Sequence, residues 1–263
     1  MDLGLKDKVA VVCAASRGLG RAAAEALAAE GAKLAVCSRD AEAIRRTGQE
    51  IREAYGAEVL ALACDVTSPK EIEQFARRVL ETYGTAHVLF TNAGGPPPGR
   101  ALDLSPADYS AAVELNLMST VHMVYAFAHR MREQCWGRII ASTSITVKQP
   151  LPALALSNVS RAGVIGFVKS LSLDLAPFQI TVNAVAPGYI LTDRVRGLLE
   201  EQVKTQGPTL EDAVQGLVGQ IPAGRMGSPE EFGALIAFLA SQQASYINGE
   251  TVLIDGGMYR GLH

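Results

Sequence analysis

A glycine-containing turn near the start of the chain has the residue types and spacing of a phosphate-binding turn. It runs from Cys13 to Gly20 and reads Cys-Ala-Ala-Ser-Arg-Gly-Leu-Gly. The apolar run Val9–Cys13 predicts a buried strand before it, and the alanine-rich pattern Gly18–Glu30 predicts a helix after it. Backbone N–H groups of such a turn and the positive end of the helix dipole stabilise a pyrophosphate. The sequence therefore predicts a dinucleotide site here.

The end of the second strand indicates which dinucleotide is bound. Specificity for NAD normally places an acidic residue there, which binds the ribose 2′-hydroxyl. Here Ser38 and Arg39 follow the strand, and Arg17 lies in the turn itself. Two guanidinium groups favour the 2′-phosphate of NADP(H) over NAD(H), because arginine binds phosphate through charge-assisted contacts. Asp40 is interpreted as the N-cap of the next helix.

The elements that must position these residues alternate between short apolar runs and longer helical patterns. The predicted strands are Val9–Cys13, Lys33–Cys37, Val59–Cys64, His87–Thr91, Arg138–Ser142, Ile180–Ala186 and Thr251–Ile254. The predicted helices are Gly18–Glu30, Ala41–Tyr55, Pro69–Tyr83, one or two helices within Ser105–Arg132, and Ala153–Ala176. Strands separated by helices imply crossovers and a parallel sheet covered on both faces. We expect one α/β domain over residues 1–263, a Rossmann-type doubly wound parallel sheet of about seven strands.

The stretch Asp193–Gly227 interrupts this alternation before the last strand. A polar insertion in that place suits a lid over a substrate. A surface excursion that contains a helix or two explains the pattern equally well, and both interpretations stay open.

Short strings make the chain resemble the short-chain dehydrogenase/reductase family over nearly its whole length. The turn is similar to the family's Thr-Gly-x-x-x-Gly-x-Gly, with Cys13 at the Thr and Ala14 at the first Gly. The other strings are Asp65-Val66, Thr91-Asn92-Ala93-Gly94, Asn116 in Glu114–Leu117, Val182–Gly188, Asn248-Gly249 and Asp255-Gly256-Gly257. In open α/β sheets, ligands bind outside the carboxyl ends of the strands, where most of these strings lie.

The resemblance implies which residues contact the nucleotide. They are Ala14, Ser16, Arg17, Gly18, Leu19, Gly20, Ser38, Arg39, Asp65, Val66, Asn92, Ala93, Gly94, Arg161, Pro187, Gly188 and Thr192. Within this set, Asp65 and Val66 correspond to the adenine contacts and Thr192 to the contact with the nicotinamide amide. Ala14 adds a methyl group where the family has glycine, which the backbone tolerates if φ stays negative there.

The resemblance also implies a reaction centre built from a Ser, a Tyr and a Lys, with a supporting Asn. Ser144 matches the Ser that polarises the substrate oxygen, and Asn116 matches the supporting Asn. Counted back from Ala162-Gly163-Val164, the Tyr position holds Ser157 and the Lys position holds Arg161. The sequence contains no Tyr-x-x-x-Lys. Residues four apart still share one helix face, so the geometry is retained.

The replaced pair predicts altered chemistry at this centre. The Ser157 hydroxyl is a much weaker acid than a phenol, and the serine side chain is too short to reach the place of a tyrosine oxygen. Arg161 can hydrogen-bond a ribose and supply positive charge, but a guanidinium stays protonated. Three other groups are candidates for the proton donor: Tyr189, Lys148, and a water held by Ser144 and Ser157. For Tyr189 we favour a packing role, since apolar-flanked aromatic residues usually pack.

Two functions follow from these residues. One is an NADP-dependent oxidoreductase for a carbonyl or alcohol, with a small-molecule or acyl-thioester substrate, similar to the family's 3-oxoacyl-(acyl-carrier-protein) reductases. The other is a non-catalytic nucleotide-binding sensor or partner subunit. A hydrolase lacks support, because there is no Gly-x-Ser-x-Gly turn and no convincing set of Ser, His and acid.

The composition argues against several other classes. The net charge of −3 and the scattered basic pairs predict no nucleic-acid surface. The four cysteines form no C-x-x-C pair and the four histidines are scattered, so we expect no metal site and reduced cysteines in a cytoplasmic protein. Charges near the N-terminus and the lack of a long apolar run predict neither a signal peptide nor a membrane span.

The resemblance to the family implies a homo-oligomer, most simply a tetramer, and the helix Ala153–Ala176 favours the same prediction. It carries more apolar residues than one stripe against a sheet needs. They are Leu154, Leu156, Val159, Val164, Ile165, Phe167, Val168, Leu171 and Leu173.

Overall fold

The computed structural model describes residues 2–207 and 209–262, without the side chains at 201, 202, 205 and 206. In these residues seven parallel strands form one sheet in the order β3-β2-β1-β4-β5-β6-β7. They are β1 Val9–Val12, β2 Lys33–Ser38, β3 Val59–Ala63, β4 Val88–Thr91, β5 Gly137–Ser142, β6 Ile180–Pro187 and β7 Thr251–Ile254. The order reverses between β1 and β4, as in a doubly wound sheet, so the predicted fold is confirmed.

Most of the helices cover the two faces of the sheet. The helices of the described residues are α1 Gly18–Ala29, α2 Ala41–Tyr55, α3 Pro69–Tyr83, α4 Pro106–Val113, α5 Ser119–Glu133, α6 Ala155–Leu175, α7 Asp193–Gln206, α8 Leu210–Val218 and α9 Pro229–Ala240. One core cluster joins the sheet to α1, α2 and α9 through residues such as Leu27, Ile44 and Phe232. The other joins it to α3, α5 and α6 through residues such as Phe75 and Phe127. Two buried faces explain why the strands read as continuous apolar runs.

Local signals set the helix limits. The side chain of Asp40 accepts hydrogen bonds from the N–H groups of Glu42 and Ala43, which confirms it as the N-cap of α2. Gly56 ends this helix in the left-handed conformation. The helical stretch predicted over 105–132 is two helices, α4 and α5, joined by a π-helical turn at Glu114–Met118. The other strand and helix limits differ from the predicted ones by two residues at most.

Helix α9 has no counterpart among the predicted elements. Ser228 and Glu231 form a capping box at its start. Its apolar residues lie on most sides of the helix because it packs closely against α1, so the sequence shows no clear one-sided apolar stripe. A Cβ added at Gly233 would lie 2.5 Å from the carbonyl oxygen of Ala22, which shows how closely the two helices approach.

The stretch predicted to interrupt the alternation contains helices α7 and α8. They share a small apolar cluster of Val195, Leu199 and Ala213 that is separate from the two main clusters. Pro208, which lies between the two helices, is outside the described residues. A helical excursion is confirmed, and its role as a lid stays a prediction.

The described residues contain no helix long and apolar enough to cross a membrane. They also contain no group of three His, Cys, Asp or Glu side chains placed to hold a metal ion. Cys13, Cys37 and Cys64 are buried free thiols, as predicted for core cysteines, and Cys135 is exposed. Most of the apolar side chains of α6 pack in or against the core cluster on one face of the sheet. Val159 and Leu173 are 52% and 70% exposed.

Candidate active site

The turn between β1 and α1 adopts a conformation that the sequence did not predict. Gly18 has φ +56° and Ala14 has φ +50°, so the condition under which the backbone tolerates Ala14 without strain is not met. An L-residue in the left-handed region costs about 1–2 kcal/mol relative to its usual conformations. The turn is nevertheless held in place: the Ala15 N–H donates to the Cys37 carbonyl and Thr47 Oγ1 donates to the Ser16 carbonyl at 3.1 Å.

The N-terminus of α1 is open to a ligand. Its N-cap is Arg17, whose side chain makes no capping hydrogen bond, and the first turn contains no acidic residue. The first N–H groups of the helix, at Gly18, Leu19 and Gly20, are therefore not capped by a side chain from within the helix. A Cβ at Gly20 would lie 2.2 Å from the Ala14 carbonyl oxygen, so only glycine permits this approach of helix and strand. The arrangement suits an anion at the helix N-terminus.

The two arginines predicted to bind the 2′-phosphate lie in the turn before α1 and directly after β2. Ser38 is buried and donates a hydrogen bond to the Asp40 carbonyl oxygen at 3.0 Å. Arg39 and Arg17 are exposed, and neither forms an ion pair within the described residues. The side chain of Asp40 is already used as a helix cap. The predicted 2′-phosphate side of the pocket thus has positive charge that is not neutralised by the chain.

The next predicted nucleotide contacts follow β3 and β4 along the same sheet edge. Asp65 accepts hydrogen bonds at Oδ1 from the Thr67 N–H and hydroxyl, which fix the orientation of its carboxylate. Val66 is buried. Asn92, Ala93 and Gly94 form the start of the loop after β4, and Gly94 is exposed.

Asn116 lies in the π-helical turn before α5 and is 4% exposed. Its Nδ2 donates to the Gly94 carbonyl oxygen at 3.2 Å, and its Oδ1 lies 3.0 Å from the hydroxyl of Ser160. Asn116 therefore connects the loop after β4 to helix α6. Sequence reasoning did not identify Ser160, because its contact with Asn116 spans 44 residues.

Thr146, beyond the end of β5, contacts both Ser144 and Ser157. Its backbone N–H donates to the Ser144 hydroxyl at 3.2 Å, and its own hydroxyl lies 3.1 Å from that of Ser157. Either oxygen of the second pair can be the donor. The sequence did not single out Thr146, which connects the two predicted site residues. Ser157 is 8% exposed, so it is not an ordinary surface residue.

Arg161 lies one turn beyond Ser157 on the same buried face of α6. It is 8% exposed and donates from Nη1 to the Ser142 carbonyl oxygen at 3.0 Å. Burial, with a smaller contribution from the positive charge of Arg194, lowers the pKa of Arg161 to about 10. The guanidinium still carries a full positive charge at neutral pH. A buried cation therefore stands at the predicted reaction centre.

The segment after β6 lies beside the turn between β1 and α1. Pro187 ends this strand, and a Cβ at Gly188 would lie 2.8 Å from Asp255, so glycine is required for the close approach. Thr192 is the N-cap residue of α7, and its methyl carbon would lie 3.6 Å from a Cβ on Gly18. The predicted nicotinamide contact and the pyrophosphate turn are therefore neighbours.

Two of the alternative proton donors have different surroundings. Lys148 is exposed at the end of the 3-10 turn Ile145–Val147. Tyr189 packs on the apolar cluster of α7 and α8, and burial raises the pKa of its phenol. The packing role favoured for Tyr189 agrees with these contacts.

A further arginine and a proline-rich loop bound the pocket. Arg194, in the first turn of α7, donates from Nη2 to the Pro96 carbonyl oxygen at 2.7 Å. A Cβ at Gly95 would lie 3.0 Å from the same nitrogen. The loop is also joined to the start of α6, since the Gly99 N–H donates to the Ala153 carbonyl at 2.7 Å. Sequence reasoning missed Arg194, because nothing in its neighbourhood signals this contact.

Comparison with known proteins finds similarity over nearly the full chain. A family model described as "Enoyl-(Acyl carrier protein) reductase" matches residues 13–259. The chain is 35% identical over 257 residues to the 3-oxoacyl-(acyl-carrier-protein) reductase FabG of Escherichia coli, with 98% of this chain and 99% of the relative covered.

Two solved structures are also similar. L-sorbose reductase from Gluconobacter frateurii, complexed with NADPH and L-sorbose, has a TM-score of 0.96 and 31% identity, and both chains are fully covered. YwfH, an NADPH-dependent reductase involved in bacilysin biosynthesis, has a TM-score of 0.93 and 30% identity, with 98% of this chain and 100% of that one covered.

Proposed function

The chain belongs to the short-chain dehydrogenase/reductase family, and from that premise we propose that it is an NADP(H)-dependent oxidoreductase of a carbonyl or alcohol substrate. We propose further that Ser157 and Arg161 stand where the family has its catalytic Tyr and Lys, and that the reaction resembles that of 3-oxoacyl-(acyl-carrier-protein) reductases. One observation carries the proposal: the open N-terminus of α1 and the polar cluster around Arg161 lie on the same edge of one sheet.

The residues of the nucleotide side fit NADP(H). The uncapped N-terminus of α1 offers N–H groups to a pyrophosphate, and Gly20 keeps the helix close enough to the strand. Arg17 and Arg39 offer unpaired positive charge for the 2′-phosphate. Thr192, next to Gly18, is the proposed contact of the nicotinamide amide. The NADPH in the sorbose reductase and the NADPH dependence of YwfH support the same choice of cofactor.

The reaction side is proposed to orient the substrate and to stabilise negative charge. When bound, NADPH supplies a hydride to a carbonyl carbon. Ser144 and Ser157 orient the substrate oxygen by hydrogen bonds. The buried charge of Arg161 stabilises the negative charge that develops on that oxygen, an effect that is strong where water is excluded.

Proton supply is the weak step of this centre. The Thr146 and Ser157 hydroxyls, 3.1 Å apart, can pass a proton between them, but neither is an acid comparable to a phenol. A well-placed general acid contributes about 10²–10⁴-fold to a rate. We therefore propose slow turnover of simple ketones.

A second candidate function is nucleotide binding without turnover, as a sensor or partner subunit. It is favoured by the pairing of the Ser157 hydroxyl with Thr146, which leaves the expected acid position occupied by a group already hydrogen-bonded. Both functions use the same nucleotide side, so cofactor binding does not separate them.

Turnover separates the two functions. NADPH oxidation is followed with a panel of 3-oxoacyl thioesters and simple ketones. Slow oxidation that depends on the added carbonyl compound supports the oxidoreductase. Tight NADPH binding with no oxidation on any compound supports the second candidate and contradicts the first.

A homotetramer is proposed as the working form. The support is the exposure of Val159 and Leu173 on α6 and of Tyr125, 76% exposed, on the adjacent helix α5. Exposed apolar groups on neighbouring helices suit a contact with a second copy. Sedimentation at micromolar concentration should give a tetramer, and a monomer would contradict the proposal.

A further inference from the structure

A buried hydroxyl on helix α2 holds the turn between β1 and α1 from outside. Thr47 is 2% exposed, and its Oγ1 donates a hydrogen bond to the carbonyl oxygen of Ser16 at 3.1 Å. The two residues are 31 positions apart in the chain, so only folding brings them together. Helix α2 is therefore joined through a side chain to the turn that is proposed to bind the pyrophosphate.

This hydrogen bond differs from the usual one of a hydroxyl group within a helix. Serine and threonine in helices commonly donate to the carbonyl oxygen four residues earlier in the same helix. Thr82 on α3, Thr120 on α5 and Ser170 on α6 do so, at 2.8, 3.0 and 3.0 Å. Thr47 instead donates to a carbonyl oxygen of another segment. Since a hydroxyl has one hydrogen to donate, that of Thr47 is used by the turn and not by its own helix.

Helix α2 is a firm support for this contact. Gly48, the residue after Thr47, lies so close to β3 that an added Cβ would be 2.7 Å from the Cβ of Ala61. Arg52, one turn further along, donates from Nε and Nη2 to the Val59 carbonyl oxygen at 3.3 and 2.8 Å. The helix is thus fixed to the sheet on both sides of Gly48, and the position of the Thr47 hydroxyl is fixed with it.

The turn needs support because its own backbone conformation is strained. Ala14 has φ +50°, in the left-handed region that residues other than glycine rarely adopt. The next N–H, that of Ala15, donates to the Cys37 carbonyl at 3.0 Å, which fixes it to β2. The hydrogen bond from Thr47 then fixes the following residue, Ser16, to α2. Contacts from two different elements therefore hold consecutive residues beside the strained one.

The Ser16 carbonyl also determines how the chain enters α1. A trans peptide unit is planar, and its C=O and N–H point to opposite sides. Because the Ser16 carbonyl points to Thr47 on α2, the N–H of Arg17 points away from that helix. Arg17 is the N-cap residue of α1, with extended backbone and no capping hydrogen bond from its side chain. The peptide unit that leads into the open helix N-terminus is thus oriented by Thr47.

We infer that Thr47 is a positioning residue for the dinucleotide: its hydroxyl holds the Ser16 carbonyl and keeps the turn Cys13–Gly20 in the conformation that binds the pyrophosphate. This inference rests on the proposed function, because it assumes that the pyrophosphate lies at the N-terminus of α1. NADP(H) and NAD(H) share the pyrophosphate. Loss of the Thr47 hydroxyl should therefore weaken both nucleotides by the same factor, whereas loss of Arg39 is expected to weaken NADP(H) alone.

The experiment removes the hydroxyl and keeps the shape of the side chain. In Thr47→Val, the Kd values of NADP⁺ and NAD⁺, measured by calorimetry, should each rise about fivefold, the effect of one net hydrogen bond. Thr47→Ser keeps a hydroxyl and should restore most of the affinity. Thr181→Val is the matched control, because Thr181 is buried at the amino-terminal end of β6, and its replacement should leave both affinities unchanged.

Hydrogen exchange separates an effect on the turn from a general loss of stability. Without nucleotide, amide exchange of peptides that cover residues 13–20 should be faster in Thr47→Val than in the wild type, Thr47→Ser and Thr181→Val. Urea denaturation gives the stability of each variant, and the affinities should not follow it.

The outcomes distinguish this inference from the proposed function. Wild-type binding that Thr47→Val leaves unchanged, or that Thr181→Val weakens equally, overturns the inference alone. Exchange at residues 13–20 that is the same in Thr47→Val and the wild type also overturns it. A wild-type protein that binds neither nucleotide contradicts the proposed function, and the inference with it.

Discussion

The nucleotide side and the reaction side of this sheet edge are built from different parts of the chain. On the nucleotide side, the groups proposed to bind the pyrophosphate are backbone N–H groups at the N-terminus of α1, positioned by Gly18 and Gly20. On the reaction side, the proposed groups are the side chains of Ser144, Ser157 and Arg161. A pyrophosphate site made of backbone tolerates side-chain replacement, whereas the chemistry of a reaction centre made of side chains changes with each replacement.

The replacements on the two sides illustrate the difference. Ala14 is proposed to stand where the family has glycine, and it has a left-handed conformation at φ +50° in spite of its methyl group. The replacement costs conformational energy but leaves the N–H groups in place. Ser157, proposed to stand at the family's Tyr position, lies on a buried helix face and lacks a phenol that could donate the proton. The fold is retained on both sides, and the chemistry is expected to differ on one.

The largest expected effect comes from restoring the side-chain site. Ser157→Tyr combined with Arg161→Lys should raise NADPH oxidation by about 10²-fold, within the usual 10²–10⁴ range for a general acid. Ser157→Tyr alone should give less, because the new phenol would have a poorer partner. The measurement is kcat/KM on the ketone and thioester panel. A double variant that folds, binds NADPH and gains nothing would contradict the assigned roles.

The next effect tests the backbone site. In Gly20→Ala the new Cβ would lie 2.2 Å from the Ala14 carbonyl oxygen, so α1 must move away from the strand. We expect about 3 kcal/mol less stability to urea, the upper end of the usual overpacking cost, together with weaker NADP⁺ binding. Gly216→Ala on α8, where the Cβ meets nothing within 4 Å, is the control. If Gly20→Ala behaves like this control, the close approach is not required.

A smaller effect separates the two cofactors. Arg39→Ala should weaken NADP(H) binding by about 1–3 kcal/mol and leave NAD(H) nearly unchanged, because only NADP(H) carries the 2′-phosphate. Arg46→Ala, an exposed arginine of α2, is the control. Calorimetry on wild type and both variants gives the affinities. Equal wild-type affinity for NADP(H) and NAD(H) would refute the cofactor assignment.

The smallest effect concerns Ala14. Ala14→Gly should raise the free energy of unfolding by about 1 kcal/mol, since glycine adopts the observed φ without strain. Ala43→Gly, within helix α2, should lower it by a similar amount. Urea denaturation measures both. Destabilisation by Ala14→Gly would show that the strain is absent or is offset by the methyl group's contacts.

The sequence predicted most of the fold because its elements carry their own signals. The strands are apolar runs, and helices such as Pro69–Tyr83 begin with a cap and Pro and end at a glycine. Helix α9 also begins with a cap and Pro, at Ser228 and Pro229, but it was not predicted because it is apolar on several sides and shows no one-sided stripe. The left-handed φ at Ala14 was not predictable either, since alanine rarely adopts it and only the surrounding hydrogen bonds impose it.

The residues of the candidate site were predicted where short sequence strings or a fixed spacing identify them. Ser144 and Asn116 could be located by their strings, and Ser157 and Arg161 by their spacing. Thr146, Ser160 and Arg194 could not, because each acquires its role from a contact made in the folded protein. Arg194 is the clearest case: it meets Pro96, which lies 98 residues earlier in the chain.

The central claim is a retained nucleotide side joined to an altered reaction side. Its most direct test is single-turnover oxidation of saturating NADPH by the ketone and thioester panel, run side by side with the E. coli relative. The account predicts bound NADPH whose oxidation is about 10²-fold or more slower than in the relative, the contribution of the missing general acid. Rates equal to the relative's, abolished by Tyr189→Phe and unaffected by Ser157→Ala, would contradict it and identify Tyr189 as the proton donor.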